Sequence, residues 1–119
     1  MTDWTIYHNP RCSKSRQTLA LLREAGVQPR IVEYLETPPT ATELDAILRK
    51  LGREPEAVIR FGESVAKELG LHKTDRRERA EWIQLIVEHP ILLERPIVVH
   101  GDDAQLGRPP EAVRELLPT

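Results

Sequence analysis

The sequence TIYHNPRCSKSR, residues 5–16, contains the change from strand to helix that decides the fold. Its first four residues form a short β-prone run, and Asn9-Pro10 ends that run. A helical pattern begins at Ser13, and Gly26 stands where a C-terminal cap belongs. The inner side of this predicted helix is lined by Leu19, Leu22 and the neighbouring Leu21 and Ala25. We therefore predict a strand, a tight turn and a helix that begins directly after Cys12.

The rest of the chain contains further predicted helices and strands, and Pro38-Pro39 breaks the chain after the second strand. The further predicted elements are a strand at 30–34, a helix from the capping box at 40–43 to Gly52, a short helix at 55–60, a helix at about 75–88 capped by Thr74, a strand at 96–100, a hairpin return at 105–107 and a helix at 109–117. The opening strand, helix and strand predict a parallel pair with a crossover helix, whereas the closing hairpin predicts an antiparallel edge. We therefore predict an α/β fold with a mixed sheet and a central helical insertion.

Composition favours one globular domain over residues 1–119. Hydrophobic residues make up 39% of the chain and charged residues 30%, which suits a single core. No apolar run is long enough to span a bilayer, and the N-terminus lacks the basic start and apolar core of a signal peptide. The formal net charge of −2 gives no global attraction to nucleic acid or to an anionic membrane. We expect a cytoplasmic monomer that binds neither.

The single cysteine, Cys12, limits the redox chemistry of the chain. No intramolecular disulfide can form, so a thiol redox cycle needs a second thiol from another molecule. The first amides of a helix carry partial positive charge, stabilise a thiolate and bind tetrahedral oxyanions. Arg11, Lys14 and Arg16 surround the thiol with basic residues, which is unlike the setting of a core cysteine. We therefore predict that Cys12 is a nucleophile.

His8 and Ser15 flank Cys12 in the sequence and are candidate catalytic residues. His8 has three open roles: a general acid or base, an electrostatic partner of the thiolate, or a strand-end histidine with a satisfied hydrogen bond. The Ser15 hydroxyl can donate a hydrogen bond to sulfur or to a bound anion. The other three histidines lie far apart without ligand spacing, so no metal site is predicted.

Three arginines, Arg60, Arg95 and Arg108, are candidate ligands for an anion. Arg95 and Arg108 each precede a proline, which restricts their backbones, whereas Arg60 follows a short apolar run. Each of them taken alone is more often a surface arginine. Composition and spacing do not bring the three together.

Taken as a set, these motifs resemble those of one known family. Residues 7–10 followed by Cys12 and Ser15-Arg16 are similar to the active-site loop of glutaredoxin-dependent arsenate reductases. The similarity extends from about residue 5 to residue 117. It includes the segments at 34–39, 58–60, 89–92 and 95–99.

The resemblance implies a fold, a reaction and a set of site residues. The implied fold is thioredoxin-like with a helical insertion, and the implied reaction is the reduction of arsenate to arsenite. Cys12 would be the nucleophile that forms an arsenic adduct, with His8 as its neighbour. The implied oxyanion clamp consists of Arg60, Arg95 and Arg108, and the bond between Arg95 and Pro96 would be cis.

The resemblance also implies the partners of the reaction. Glutathione would be a co-substrate and glutaredoxin a protein partner, with no bound cofactor. Two features differ from the family pattern: Arg11 stands where a smaller residue is common, and the chain ends at Thr119 where some members continue. Both leave room for a divergent substrate.

Two alternative functions stay open at this point. One is a glutathione-dependent thiol reductase of the same family without arsenate activity. The other is a regulator that binds RNA polymerase and senses oxidants through a Cys-x-x-Cys pair. Ser15 stands at the second position of that pair here, so the disulfide switch is absent and the regulator is the weaker alternative.

Overall fold

The computed structural model describes residues 3–118, and the chain divides into two compact units. The sheet unit comprises the described residues up to Thr37 and those from Arg95 onward. The helical unit comprises Pro38–Glu94. Whether residues 1–119 act as one domain, as the composition predicts, stays a prediction.

Four strands and one α-helix form the sheet unit. The strands are β1 (Trp4–His8), β2 (Arg30–Glu33), β3 (Ile97–His100) and β4 (Asp103–Leu106), in the order β2-β1-β3-β4. Strand β1 pairs parallel with β2 and antiparallel with β3, and β3 pairs antiparallel with β4. Helix α1 (Ser13–Glu24) is the crossover between the parallel strands, and a 3₁₀-helix (Pro110–Leu116) follows β4.

The core of the sheet unit lies between one face of the sheet and helix α1. Six buried side chains make this cluster: Trp4, Ile6, Leu19, Leu22, Val98 and Val113. Helix α1 ends where predicted, because Gly26 adopts a positive φ of 84° that other residues disfavour. The Val27 amide donates to the Leu22 carbonyl at 2.9 Å, which closes the helix end.

The buried face of α1 differs from the predicted one. Leu21 and Ala25 were expected on the inner side, but Leu21 is half-buried and Ala25 is exposed. Ser15 and Thr18 are buried in their place. The hydrophobic pattern could not reveal this, because these two inward positions are polar. Ser15 Oγ accepts the Asn9 amide of the preceding loop, and Thr18 Oγ1 donates to the Lys14 carbonyl within the helix.

The backbone at Gly107 lies close to Thr18 and Pro96. A Cβ atom added there would lie 2.5 Å from Thr18 Oγ1 and 2.7 Å from Pro96 Cγ. We expect Gly107→Ala to lower the free energy of unfolding by about 1–3 kcal/mol, because such overpacking forces neighbours to move. Urea unfolding checks this, with Gly62→Ala as the control, since nothing lies within 4 Å of that position. Equal stability of the two variants would contradict the expectation.

Three α-helices and two 3₁₀-helices form the helical unit. The α-helices are α2 (Ala41–Leu51), α3 (Ser64–Glu68) and α4 (Arg79–Glu88), and the 3₁₀-helices are Pro55–Val58 and Pro90–Leu92. The predicted capping box is confirmed: Thr40 Oγ1 accepts the Glu43 amide at 3.1 Å and the Thr40 amide donates to Glu43 Oε1 at 3.2 Å. An isolated antiparallel bridge joins Ile59 to Leu93.

The helices differ from the predictions in four details. Helix α4 begins at Arg79, not near 75, because the Asp75 carboxylate accepts the His72 amide at 3.0 Å and holds a turn there. Glu78 caps α4 instead of Thr74. The short helix α3 was missed, and the last helix is a 3₁₀-helix rather than an α-helix.

The predicted fold class is confirmed. The sheet is mixed and thioredoxin-like, and the helical unit is inserted in the chain between β2 and β3. Within the described part of the chain, no helix combines the length and the apolar composition that crossing a membrane requires.

Candidate active site

Cys12 occupies the N-cap position of helix α1, as the sequence predicts. Its backbone is extended, with φ −93° and ψ 124°, and the residue is half-buried. The Cys12 amide donates to the Asn9 carbonyl at 3.0 Å, and the Cys12 carbonyl accepts the Arg16 amide at 3.0 Å. The turn from Asn9 therefore leads directly into the helix and leaves the thiol beside the first helical amides.

The surroundings of the thiol favour its ionised form. Burial opposes ionisation and is the largest single influence, yet hydrogen bonds outweigh it and lower the pKa of Cys12 below its ordinary value. The donors are the amides of Ser15 and Lys14 and the side chain of Arg95, whose charge acts in the same direction. Such donors stabilise a thiolate and, at the same place, suit a tetrahedral oxyanion.

Two of the three candidate arginines lie together in the sheet unit. Arg95 is buried, with 8% of its surface exposed, and Arg108 Nη1 donates to the Arg95 carbonyl at 3.1 Å. The predicted cis bond between Arg95 and Pro96 is confirmed, and the bond between Arg108 and Pro109 is also cis. The structure thus groups Cys12, Arg95 and Arg108.

Arg60 belongs to the helical unit. Its amide donates to the Leu92 carbonyl at 2.7 Å, and its Nε lies 3.5 Å from Glu63 Oε1 and 3.8 Å from Glu94 Oε1. Its part in an oxyanion clamp stays a prediction from the family resemblance.

His8 and Ser15, which flank the loop that contains Cys12, form a buried hydrogen-bonded pair. His8 Nδ1 lies 2.6 Å from Ser15 Oγ, and the Asn9 amide donates to the same Oγ at 3.0 Å. The hydroxyl expected to reach sulfur or an anion is therefore engaged by the loop, whereas the Ser15 amide faces Cys12. This geometry indicates that the Ser15 hydroxyl holds the turn; its catalytic role stays a prediction.

The surroundings of His8 favour its neutral form. Burial lowers the pKa of His8; the Glu33 carboxylate raises it, while Arg23 and Arg16 lower it further. Because an ordinary histidine already titrates near about 6.5, a lowered pKa leaves the imidazole neutral at pH 7. Of the three roles left open, direct electrostatic stabilisation of the thiolate by an imidazolium is therefore the least supported.

Asn9 is a site residue whose role the sequence did not reveal. Asn9 is buried. Its side-chain Oδ1 accepts the Arg11 backbone amide at 3.0 Å, and its backbone amide donates to Ser15 Oγ. An asparagine side chain that accepts an amide two residues later is the usual mark of a local turn. The Asn-Pro pair signalled a turn, but the contact with Ser15 depends on how helix α1 is placed.

The pH dependence of alkylation at Cys12 should report the stabilised thiolate. Because the pKa of Cys12 is lowered, the plot of alkylation rate against pH should have its inflection below the free-cysteine value of about 8.5. The rate should be high above the inflection and should fall as the pH drops below it. Added sulfate should raise the inflection, since a bound anion opposes the thiolate. Iodoacetamide labelling followed by mass spectrometry measures both, and an inflection at or above that value would contradict the site.

The fold and the site together define a class of protein. A thioredoxin-like mixed sheet with a single activated cysteine at the start of its first helix is typical of thiol-dependent oxidoreductases. The chain belongs to the ArsC family, whose model matches residues 7–116.

Relatives and a solved structure cover almost the whole chain. The Escherichia coli (strain K12) protein YfgD, described as uncharacterised, is 50% identical over 113 residues, which is 94% of each chain. A Haemophilus influenzae protein named arsenate reductase is 48% identical over 113 residues, 94% of this chain and 97% of that one. The structure of an arsenate reductase from Vibrio cholerae is similar with a TM-score of 0.91 and 46% identity, over 96% and 97% of the two chains.

Proposed function

We propose that this protein reduces arsenate to arsenite, with Cys12 as the nucleophile. The observation that carries the proposal is the Cys12 sulfur at the start of α1, where two amides and the Arg95 side chain donate to it. The same donors suit the charge of arsenate. Relatives of nearly full length that are named arsenate reductase support the choice of substrate.

In the first step the Cys12 thiolate attacks arsenic, a sulfur–arsenic bond forms and one arsenate oxygen leaves as water. The helix-start amides and Arg95 neutralise the oxyanion during this step. Preorganised donors of this kind are each worth about 3 kcal/mol in the transition state, as an order of magnitude. Arg108 acts beside Arg95. Arg60 is assigned to the same clamp from the family resemblance alone.

In the second step a glutathione thiolate attacks the Cys12 sulfur. A sulfur–sulfur bond forms, the sulfur–arsenic bond breaks, and its electron pair stays on arsenic, which passes from As(V) to As(III) and leaves as arsenite. Glutaredoxin then attacks the glutathione sulfur and frees the Cys12 thiolate. No cofactor takes part in these steps. The need for reduced glutathione suits a cytoplasmic location. The predicted monomeric state, without nucleic-acid or membrane partners, stays a prediction.

Turnover should depend on glutathione because Cys12 is the only cysteine. Thioredoxin without glutathione should give arsenite at least about tenfold more slowly than glutathione with glutaredoxin, since no internal thiol resolves the adduct. Arsenite formation measures both arms. Equal rates would contradict the proposed electron donor, and disulfide reduction without any arsenite would instead support the thiol reductase alternative.

A further inference from the structure

A groove of about 240 Å³ lies at the carboxyl ends of the two parallel strands of the sheet unit. We call it the carboxyl-end groove; its lining includes the turn before Cys12, with Arg11, and the segment after β2, with Glu33, Leu35 and Glu36. His8 and Glu33, which both line the groove, are register partners of the two strands. In open α/β sheets, ligands bind outside the carboxyl ends of the strands.

The charges of the groove differ from those of the oxyanion site. It presents one guanidinium, Arg11, and two carboxylates, Glu33 and Glu36, and across residues 3–118 these three side chains make no ion pair. Two carboxylates repel an arsenate anion, so the groove is not a second arsenate site. The guanidinium and the two carboxylates together complement a ligand that carries both an ammonium and a carboxylate. Leu35, which is 40% exposed, offers an apolar surface to the methylene groups of such a ligand.

We propose that the carboxyl-end groove binds the γ-glutamyl end of glutathione. Its ammonium would meet Glu33 and Glu36, and its α-carboxylate would meet Arg11, for which a guanidinium is well suited. Arg11 directly precedes Cys12, with Cα atoms about 3.8 Å apart, so a thiol anchored at Arg11 is delivered to the neighbourhood of the nucleophile. The inference deepens the proposed function, which requires an external thiol.

The test uses a reaction that does not involve arsenate. The Cys12 thiolate attacks glutathione disulfide, one sulfur–sulfur bond breaks, a Cys12–glutathione bond forms, and glutathione thiolate leaves with the electron pair. The same exchange with bis(2-hydroxyethyl) disulfide supplies a neutral reference. The ratio of the two rates, from intact-protein mass spectrometry, separates recognition from any change in thiolate reactivity.

Glu33→Gln combined with Glu36→Gln should slow the exchange with glutathione disulfide about fivefold, the size expected for two exposed ion pairs. The rate with the neutral disulfide should stay unchanged. Arg11→Ala should lower the ratio in the same direction. The matched control combines Glu24→Gln with Glu111→Gln, two exposed carboxylates of the sheet unit outside the groove lining, and should leave the ratio unchanged.

A second arm compares thiols in place of disulfides. The mixed disulfide of Cys12 with 2-mercaptoethanol, which leaves the groove free, is reduced with γ-glutamylcysteine, which keeps the recognised end, or with cysteinylglycine, which lacks it. The groove variants should slow only the first. An unchanged rate ratio, or equal slowing of both disulfides, would overturn the proposal. Because neither arm contains arsenate, absence of arsenate reduction would contradict the proposed function and leave the groove supported.

Discussion

Cys12→Ser should lower the rate of arsenate reduction at least about a thousandfold, as expected for loss of a covalent nucleophile. A serine hydroxyl at the same N-cap position stays protonated at neutral pH, because even strong donors cannot bring its pKa into this range. The fold should not change, since the side chain is half-buried and nearly isosteric. Arsenite formation in the presence of glutathione and glutaredoxin is the measurement, with thermal unfolding as the control for folding. Repeated turnovers by the folded variant would exclude Cys12 as the nucleophile.

Arg95→Ala should lower kcat/KM for arsenate by about a hundredfold to a thousandfold, the usual cost of removing one preorganised oxyanion donor. Arg95 also stabilises the Cys12 thiolate, so the alkylation inflection should move to higher pH in the same variant. Arg95→Lys should recover part of the rate, because lysine keeps the charge but not the planar pair of donors.

The control for Arg95 is Arg114→Ala, an exposed arginine in the last 3₁₀-helix. Arg60→Ala and Arg108→Ala should each raise the KM for arsenate. The Arg60 variant directly tests the role in the oxyanion clamp that the family resemblance alone assigns to Arg60. If Arg95→Ala folds and retains full kcat/KM, the guanidinium has no part in the chemistry.

The local part of the site could be predicted from sequence because it is encoded within a few neighbouring residues. A β-prone run, an Asn-Pro turn and a helical pattern placed Cys12 at a helix start, and the structure confirms that position. Gly26 marked the helix end for a similarly local reason, its positive φ. Signals of this kind need no knowledge of how distant segments pair.

The rest of the site depends on strand pairing that no local pattern reveals. Arg95 reaches Cys12 because β3 pairs antiparallel with β1, with Tyr7 opposite Ile97. The carboxyl-end groove arises in the same way, from the parallel register that sets His8 beside Glu33. The sequence lists these residues but does not show which of them lie together in the fold. The prediction of the arginine clamp therefore depended on the family resemblance.

Helix α4 shows the same limit in the helical unit. Thr74 is a good capping residue by type, but the Asp75 carboxylate binds the His72 amide and stops the helix from starting there. Glu78 and Glu81 then make a capping box, although glutamate is not among the preferred N-cap residues. Competition between two local hydrogen-bond patterns decided the boundary.

The most direct test of the central claim is the intact mass of the protein after one round of reaction with arsenate and glutathione, with glutaredoxin withheld. The mechanism predicts one glutathione bound through Cys12, in equal amount to the arsenite released, and no adduct in Cys12→Ser. The adduct should form much more slowly without arsenate, because reduced glutathione alone cannot oxidise the thiol. Arsenite released without a Cys12 adduct, or by Cys12→Ser, would contradict the account.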